Sequence, residues 1–248
     1  MTTSFDFSGK KILVTGASQG IGRAICIALC NAGAEVYALA RNTQALDSLV
    51  GHAGPNLHPI TGDVTSDGEE LANLLKPHLP FHGLVNNAGI AIIQSAEHAT
   101  TDAIEKTMAV NFRGPVVLSQ IVAASMRSHG GGSIVNVSSQ ASMVPLKDHL
   151  VYCSSKAALD MASRCMAMEF GQYGIRVNCV NPTAVMTDMG RAAWSDPVKA
   201  DSLLNRMPLR RFAEESDVVN SVLFLLSDAS AMTTGHAFPI DGGFTTSS

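Results

Sequence analysis

The feature that most constrains the fold of this sequence is a regular alternation of short apolar runs with longer segments of helical periodicity. Lys11–Thr15 (KILVT) and Glu35–Ala40 (EVYALA) are typical of buried strands, and a segment with apolar residues at helical spacing lies between them. Further strands are predicted at 57–61, 83–86, 133–138, 176–180 and 237–240. The alternation predicts a Rossmann-type α/β fold, a doubly wound parallel sheet of about seven strands with helices on both faces.

The helical segments fall between the predicted strands, at 20–32, 43–50, 66–75, 101–128, 149–170 and 215–226. No repeat or linker interrupts this order, so residues 1–248 are predicted to form a single domain. The one long stretch without a predicted element is 181–212. A segment of that length in a compact domain is usually a lid or a binding loop, and the alternative is a surface insertion. Trp194 and several apolar residues in the segment favour a substrate-binding lid.

Composition excludes several classes of protein. Hydrophobic residues make up 46% of the chain and the net charge is −4, which gives no reason to expect binding to nucleic acid. No apolar run reaches the roughly 18 residues needed to span a bilayer, and residues 1–10 lack the pattern of a secretory signal. The five cysteines have no CxxC spacing, so no metal site is predicted. The cysteines read as packing thiols in a reducing compartment, and we expect the protein to be cytoplasmic.

A glycine-rich turn, Gly16-Ala17-Ser18-Gln19-Gly20-Ile21-Gly22, joins the first predicted strand to the first predicted helix. Glycines let the backbone approach a pyrophosphate closely, and the helix N-terminus offers free N–H groups to the anion. The spacing is GxxxGxG rather than the GxGxxG of the general dinucleotide fingerprint. By itself such a turn is equally compatible with a plain structural turn.

A second pattern, S-x12-Y-x3-K, consists of Ser139, Tyr152 and Lys156. Tyr152 and Lys156 are four residues apart in a predicted helix and project from one face, while Ser139 stands at or just past the end of a strand. Reduction of a ketone needs a hydride on carbon and a proton on oxygen. A tyrosine with a reference pKa near 10 becomes an effective acid near neutrality if a close ammonium favours its phenolate. A serine hydroxyl stabilises charge on the carbonyl oxygen.

With these motifs in this order, the chain resembles the short-chain dehydrogenase/reductase family. Asp63 after the third strand and Asn86-Asn87-Ala88-Gly89 after the fourth match two more family motifs. The resemblance implies that Tyr152 is the general acid, with Ser139, Lys156 and Asn111 completing the catalytic set. It also implies an NADP(H) site formed by Gly16, Ser18, Gln19, Gly20, Ile21, Gly22, Arg41, Asp63, Val64, Asn86, Ala88, Gly89, Tyr152, Lys156, Pro182, Val185 and Thr187.

Arg41 decides the expected form of the cofactor. NAD-binding members of the family carry an acidic residue where Ala40 stands, and here that carboxylate is replaced and a guanidinium follows. Arg41 offers a bidentate contact to a 2′-phosphate, so NADPH is favoured over NADH. Arg41 as a solvated charge is the alternative. Gln19 stands where many NADPH-using relatives have a second basic residue, which implies a weaker hold on the phosphate.

The resemblance covers nearly the whole chain and extends to WSDP at 194–197, in the predicted lid. It implies reduction of L-xylulose to xylitol and of small α-dicarbonyls, with substrate contacts from Ser139, Gln140, His149, Tyr152 and Trp194. It also implies a homotetramer in which the helices 101–128 and 149–170 form one interface. Two alternatives remain: a reductase of 3-oxoacyl groups on acyl carrier protein, and an NADPH-binding scaffold protein without activity.

Overall fold

The computed structural model describes residues 5–247, with the side chains of all except Met189, Ala193 and Lys199. Residues 1–4, which belong to the segment 1–10 discussed above for a secretory signal, and residue 248 lie outside the described range. Within it the chain forms one parallel sheet of seven strands in the order β3-β2-β1-β4-β5-β6-β7. The strands are β1 (Lys11–Thr15), β2 (Glu35–Ala40), β3 (Leu57–Thr61), β4 (Gly83–Asn86), β5 (Gly132–Val137), β6 (Ile175–Pro182) and β7 (Ala237–Ile240). The predicted fold class is confirmed.

Helices connect the strands and cover both faces of the sheet. They are α1 (Gly20–Asn31), α2 (Thr43–Ala53), α3 (Gly68–Leu75), α4 (Thr101–Met108), α5 (Gly114–Met126), α6 (Leu150–Phe170), α7 (Asp188–Ala193), α8 (Pro197–Leu204) and α9 (Glu215–Leu226). Polar side chains cap several of them. Asn42, Asp67 and Thr100 each accept a hydrogen bond from the first turn of the helix that follows, which explains where α2, α3 and α4 begin.

The two faces of the sheet carry separate apolar cores. Along β1, Ile12 and Val14 pack into the core that also contains residues of α1, α2 and α9, whereas Leu13 packs into the core with α3, α5 and α6. All three side chains are buried because successive residues of a strand point to opposite faces and both faces are covered. A strand of this kind is apolar throughout, which is why the sequence signal was strong.

The predicted helix 101–128 is observed as a continuous helix over 101–126 with a π-helical turn at its centre. The structure has α4, then a π-helical turn at Ala109–Arg113, then α5, and the backbone stays helical at both junctions. Pro115 lies just after the turn and has no N–H to donate back into it. A π-helical turn shifts the helical register by a residue, and such turns are frequent at functional sites.

The segment 181–212 is also more regular than predicted. β6 extends to Pro182, and α7 and α8 lie within the segment. Both helices are short, so their periodicity is difficult to detect in sequence. No helix in the described part of the chain is long and apolar enough to cross a membrane.

Candidate active site

The order of the strands reverses between β1 and β4, and a parallel sheet forms a crevice beyond the carboxyl ends of its strands at such a point. A cavity of about 370 Å³ lies there, bordered by the loops after β1, β2, β3 and β4 and by the start of α7. The predicted cofactor residues in its lining are Gly16, Ser18, Gln19, Gly20, Ile21, Arg41, Asp63, Val64, Ala88, Gly89 and Thr187.

Other cavity residues were missed in the sequence. They are Ala40, Asn87, Ile90, Val110 and Asp188. Asn87 has a detectable signal, because it lies inside the NNAG motif. Val110 has none, because the π-helical turn that brings it to the cavity has no sequence pattern of its own. The predicted residues Gly22, Asn86, Tyr152, Lys156, Pro182 and Val185 are not part of this lining.

The glycine turn allows two segments of backbone to touch. Gly16 has a φ of 63°, and a Cβ atom there would lie 2.8 Å from Ala88 Cα. A Cβ atom at Gly22 would overlap the carbonyl oxygen of Gly16 and the side-chain amide of Asn87. Gly22 therefore packs against the glycine turn and does not line the cavity. Only residues without a side chain permit this packing.

The N-terminus of α1 faces the cavity with its hydrogen-bond donors available. Gln19 is the N-cap residue and makes no side-chain capping hydrogen bond, and the first turn carries no acidic residue. The first N–H groups of a helix have no intrahelical partner, and the helix dipole favours negative charge there. Gly16, Gln19 and α1 together form a cradle that fits a pyrophosphate group.

Asn86 and Asn87, the two asparagines of the NNAG motif, bond to different parts of the structure. Asn86 is buried, and its Nδ2 donates to Asn136 Oδ1 at 2.8 Å and to Ser119 Oγ at 3.1 Å. Asn87 Nδ2 donates to the carbonyl oxygens of Thr15 and Gly16, at 3.0 and 3.1 Å. Asn86 thus ties β4 to its neighbours, and Asn87 fixes the glycine turn.

Arg41 and Asp63 lie together at the edge of the cavity. Arg41 Nη1 is 3.7 Å from Asp63 Oδ2, and the Arg41 side chain is 75% exposed. Burial acts to raise the pKa of Asp63, but hydrogen bonds from the N–H and hydroxyl of Thr65 and the charge of Arg41 outweigh it and lower the pKa. The Asp63 carboxylate is therefore fixed by Thr65, and the Arg41 guanidinium remains accessible to a ligand.

The four predicted catalytic residues converge beside Gly89. Ser139 follows β5, and its hydroxyl lies close enough to Tyr152, near the start of α6, to lower the pKa of the tyrosine. A Cβ atom at Gly89 would lie 3.5 Å from both Lys156 Nζ and Asn111 Oδ1. Asn111 sits in the π-helical turn, where its side chain bonds the N–H and C=O of Ile90, both at 2.9 Å. The turn after β4, the π-helical turn and α6 thus meet at one place.

The pKa values of Tyr152 and Lys156 differ from the expectation that a close ammonium lowers the pKa of the tyrosine. Burial raises the pKa of Tyr152, and the Ser139 hydroxyl opposes the rise only in part. Burial also lowers the pKa of Lys156 to about 8, against the opposing effects of Cys179 and Asp160. Lys156 Nζ donates to the Val137 carbonyl at 2.8 Å and lies 5.8 Å from the centre of the Tyr152 ring. At that distance the ammonium does not outweigh the desolvation of the phenolate.

Of the remaining predicted substrate residues, His149 and Gln140 lie beside the catalytic group, whereas the contact observed for Trp194 is with Phe212. His149 precedes α6, and its ring centre is 6.2 Å from that of Tyr152. Its Nδ1 lies 2.6 Å from the Lys147 carbonyl, which only accepts, so Nδ1 carries hydrogen and Nε2 is the acceptor of the neutral ring. Gln140 is buried, and Trp194 packs on Phe212 with ring centres 5.3 Å apart.

Several known proteins are similar to this chain over most of its length. A sequence profile described as enoyl-(acyl carrier protein) reductase matches residues 16–245. An L-xylulose reductase from Caenorhabditis elegans is 55% identical over 98% of this chain and 99% of that protein. A D-erythrulose reductase from Gallus gallus is 53% identical over 98% of this chain and 99% of that protein. A solved short-chain type dehydrogenase/reductase from Mycobacterium ulcerans superposes with a TM-score of 0.91 at 29% identity, covering 98% of this chain and 92% of that one.

These relatives match the chain over nearly its full length and at identities high enough to share its chemistry. The chain belongs to the short-chain dehydrogenase/reductase family, and it is an oxidoreductase that interconverts a carbonyl and a hydroxyl group with a nicotinamide cofactor.

Proposed function

We propose that this oxidoreductase reduces L-xylulose to xylitol, together with small α-dicarbonyls, with NADPH as hydride donor. The observation that carries the proposal is the proximity of Ser139, Tyr152 and Lys156 to one another, next to a crevice with a glycine cradle. The names of the relatives supply the substrate class, since one reduces L-xylulose and the other D-erythrulose. Both sugars are small polyhydroxy ketones.

The residues present fit a dinucleotide. The backbone at Gly16 and the N-terminus of α1 would hold the pyrophosphate. Glycine is needed at position 16 because a Cβ atom there would collide with Ala88 in the loop after β4. Asp63 and Val64 would hold the adenine end, and Lys156 and Thr187 the nicotinamide end. When bound, the cofactor supplies a hydride to the carbonyl carbon.

The chain's own residues would supply the proton and the orientation. Tyr152 would donate its hydroxyl proton to the carbonyl oxygen, and Ser139 would donate a hydrogen bond to the same oxygen as negative charge develops on it. Lys156 and the charge of an oxidised nicotinamide ring would together stabilise the phenolate that remains. The raised pKa of Tyr152 keeps the phenol protonated before the reaction, as an acid must be.

Substrate contacts follow from the hydrogen-bonding state of the neighbours. His149 Nε2, as an acceptor, suits a substrate hydroxyl group better than a second carbonyl. The Gln140 Oε1 atom is buried and has no hydrogen-bond partner among the described residues, which gives it capacity for a hydroxyl donor. Trp194 would cover the carbon chain. Recognition by acceptors favours polyols over acyl thioesters.

The cofactor preference is tested at Arg41. We expect Arg41→Ala to raise KM for NADPH about tenfold or more and to leave KM for NADH nearly unchanged, because the guanidinium contacts only the 2′-phosphate. Steady-state kinetics with both cofactors checks this. Arg23, which points from α1 and does not line the cavity, provides a matched control as Arg23→Ala. Equal effects of Arg41→Ala on both cofactors contradict the assignment.

The substrate is tested by NADPH oxidation against a panel of L-xylulose, diacetyl, an acetoacetyl thioester and a ketosteroid. We expect kcat/KM to be highest for L-xylulose or diacetyl. Preference for the thioester would instead support a 3-oxoacyl reductase. NADPH binding without turnover of any of the four would favour a scaffold protein.

We also propose a homotetramer located in the cytoplasm. The outer face of α6 exposes Leu150, Met161 and Met168, with Met168 77% exposed, and α4 adds Ile104. A row of exposed apolar side chains on neighbouring helices suits an interface between copies. Light scattering coupled to gel filtration measures the mass.

A further inference from the structure

Asp160 is a buried carboxylate that the proposed reaction does not use. It lies on α6 four residues after Lys156 and eight after Tyr152, so the three side chains share one face of the helix. Its Oδ2 accepts a hydrogen bond from Asn181 Nδ2 at 2.9 Å, whereas its Oδ1 is buried without a partner among the described residues. A carboxylate with so few hydrogen bonds is costly to bury unless a positive charge compensates for it.

The buried cation of α6 is Lys156, one helical turn before Asp160. Cys179 on β6 and, to a smaller extent, Asp160 favour the ammonium of Lys156 against the effect of its burial. Tyr152 on the same helix also faces Lys156. Within the described residues, the adjoining π-helical turn and the turn after β5 contribute the uncharged Asn111 and Ser139. Asp160 is therefore the carboxylate among the groups that oppose the loss of charge on Lys156.

Asp160 also fixes the position of Ser139 through Asn181. The two hydrogens of the Asn181 amide nitrogen are shared among three acceptors, namely Asp160 Oδ2, the Ser139 carbonyl at 3.2 Å and Ser142 Oγ at 2.9 Å. A carboxylate only accepts hydrogen bonds, so it forces the amide of Asn181 to present its NH2 group in this direction. With the opposite orientation, an amide oxygen would face both the carboxylate and the Ser139 carbonyl.

We propose that Asp160 is a positioning residue for carbonyl reduction, which acts on Lys156 through its charge and on Ser139 through Asn181. The inference rests on the reaction proposed above. Neither action requires Asp160 to touch substrate or cofactor. The link matters because Ser139 lies close enough to Tyr152 to affect its pKa, so a shift of the turn after β5 separates the two groups that would bind the carbonyl oxygen.

The test is the pH profile of Asp160→Asn, a substitution of the same size without the charge. We expect kcat to fall about tenfold or more, since small displacements of reacting groups are expensive. We also expect the loss of activity at high pH to begin about one pH unit lower than in the wild type. The sign follows from Lys156: without a neighbouring carboxylate its pKa falls below the present value of about 8, so the ammonium is lost at lower pH. The affinity for NADPH, measured by its fluorescence, should change little.

Three further variants distinguish the effect of the Asp160 charge from a purely structural effect of the substitution. Asp160→Glu retains the charge. Its activity should therefore be lost at the same high pH as in the wild type, which is the basic limb of the pH profile. Asn181→Ala keeps Asp160 but removes the link to Ser139, so it should lower kcat without moving that limb. Glu169→Gln removes an exposed carboxylate from the same helix and should behave as the wild type.

A basic limb of Asp160→Asn that superimposes on the wild type, with only a lower Tm, overturns the proposal and leaves Asp160 a structural residue. If Asp160→Asn does not fold, Asn181→Ala decides, because wild-type kcat in that variant contradicts the link to Ser139. A wild-type protein that binds NADPH but reduces none of the panel would instead refute the proposed reaction.

Discussion

Tyr152→Phe is expected to lower kcat for carbonyl reduction by at least about a hundredfold, because a positioned general acid contributes about that factor or more. The substitution removes one oxygen atom and leaves the ring against His149, with which Tyr152 makes an edge contact. The affinity for NADPH should therefore stay within about twofold of the wild type, since the proposed pyrophosphate cradle lies on α1 and not on α6. Stopped-flow measurement of NADPH oxidation separates loss of chemistry from loss of binding.

Tyr173→Phe is the matched control for that experiment. Tyr173 lies in the short turn after α6, and its ring packs under the guanidinium of Arg127 at 3.9 Å. Removal of its hydroxyl should leave kcat and Tm unchanged. Turnover by Tyr152→Phe at a rate close to that of the wild type would show that another group delivers the proton.

Gly22→Ala is expected to abolish productive NADPH binding and to destabilise the fold by about 1–3 kcal/mol, the usual cost of overpacking. The added methyl group would overlap the carbonyl oxygen of Gly16 and the Asn87 side chain, so both the glycine turn and the loop after β4 must move. The displacement reaches the cradle for the pyrophosphate even though Gly22 does not line the cavity. NADPH titration and thermal unfolding measure the two effects.

Gly51→Ala supplies the control for the glycine substitution. Gly51 lies within α2, and a Cβ atom there would have no atom within 4 Å. Alanine is the better helix former by about 1 kcal/mol, so this variant should be slightly more stable and fully active. Wild-type affinity for NADPH in Gly22→Ala would mean that the turn relaxes around the methyl group, against the packing described above.

The sequence predicts the central strands well because β1, β2 and β4 are almost entirely buried and apolar. β1 and β2 match their predicted bounds, and β5 and β6 differ from theirs by only one or two residues. The helix 101–128 was also predicted, but the π-helical turn at its centre was not. The π-helical turn at Ala109–Arg113 depends on how α4 and α5 pack against α6, which local periodicity does not record.

Some residues of the candidate site can likewise be recognised in the sequence, and others cannot. Gly16 and Gly20 carry a signal because their positive φ angles exclude most other residues. Tyr152 and Lys156 carry one because they are a helical turn apart. Asp160 follows the same spacing, yet its significance appears only when Asn181, from strand β6, is placed against it.

The sheet, the glycine cradle and the spacing of the tyrosine and lysine can be recognised in the amino-acid sequence, because local sterics and helical periodicity govern all three. The three-dimensional packing was needed to show that Asn86 bonds within the interior while Asn87 holds the turn, and that burial moves the pKa of Tyr152 upward and that of Lys156 downward. Hydrogen-bond partners and desolvation depend on which distant segments meet, and spacing along the chain does not contain that information.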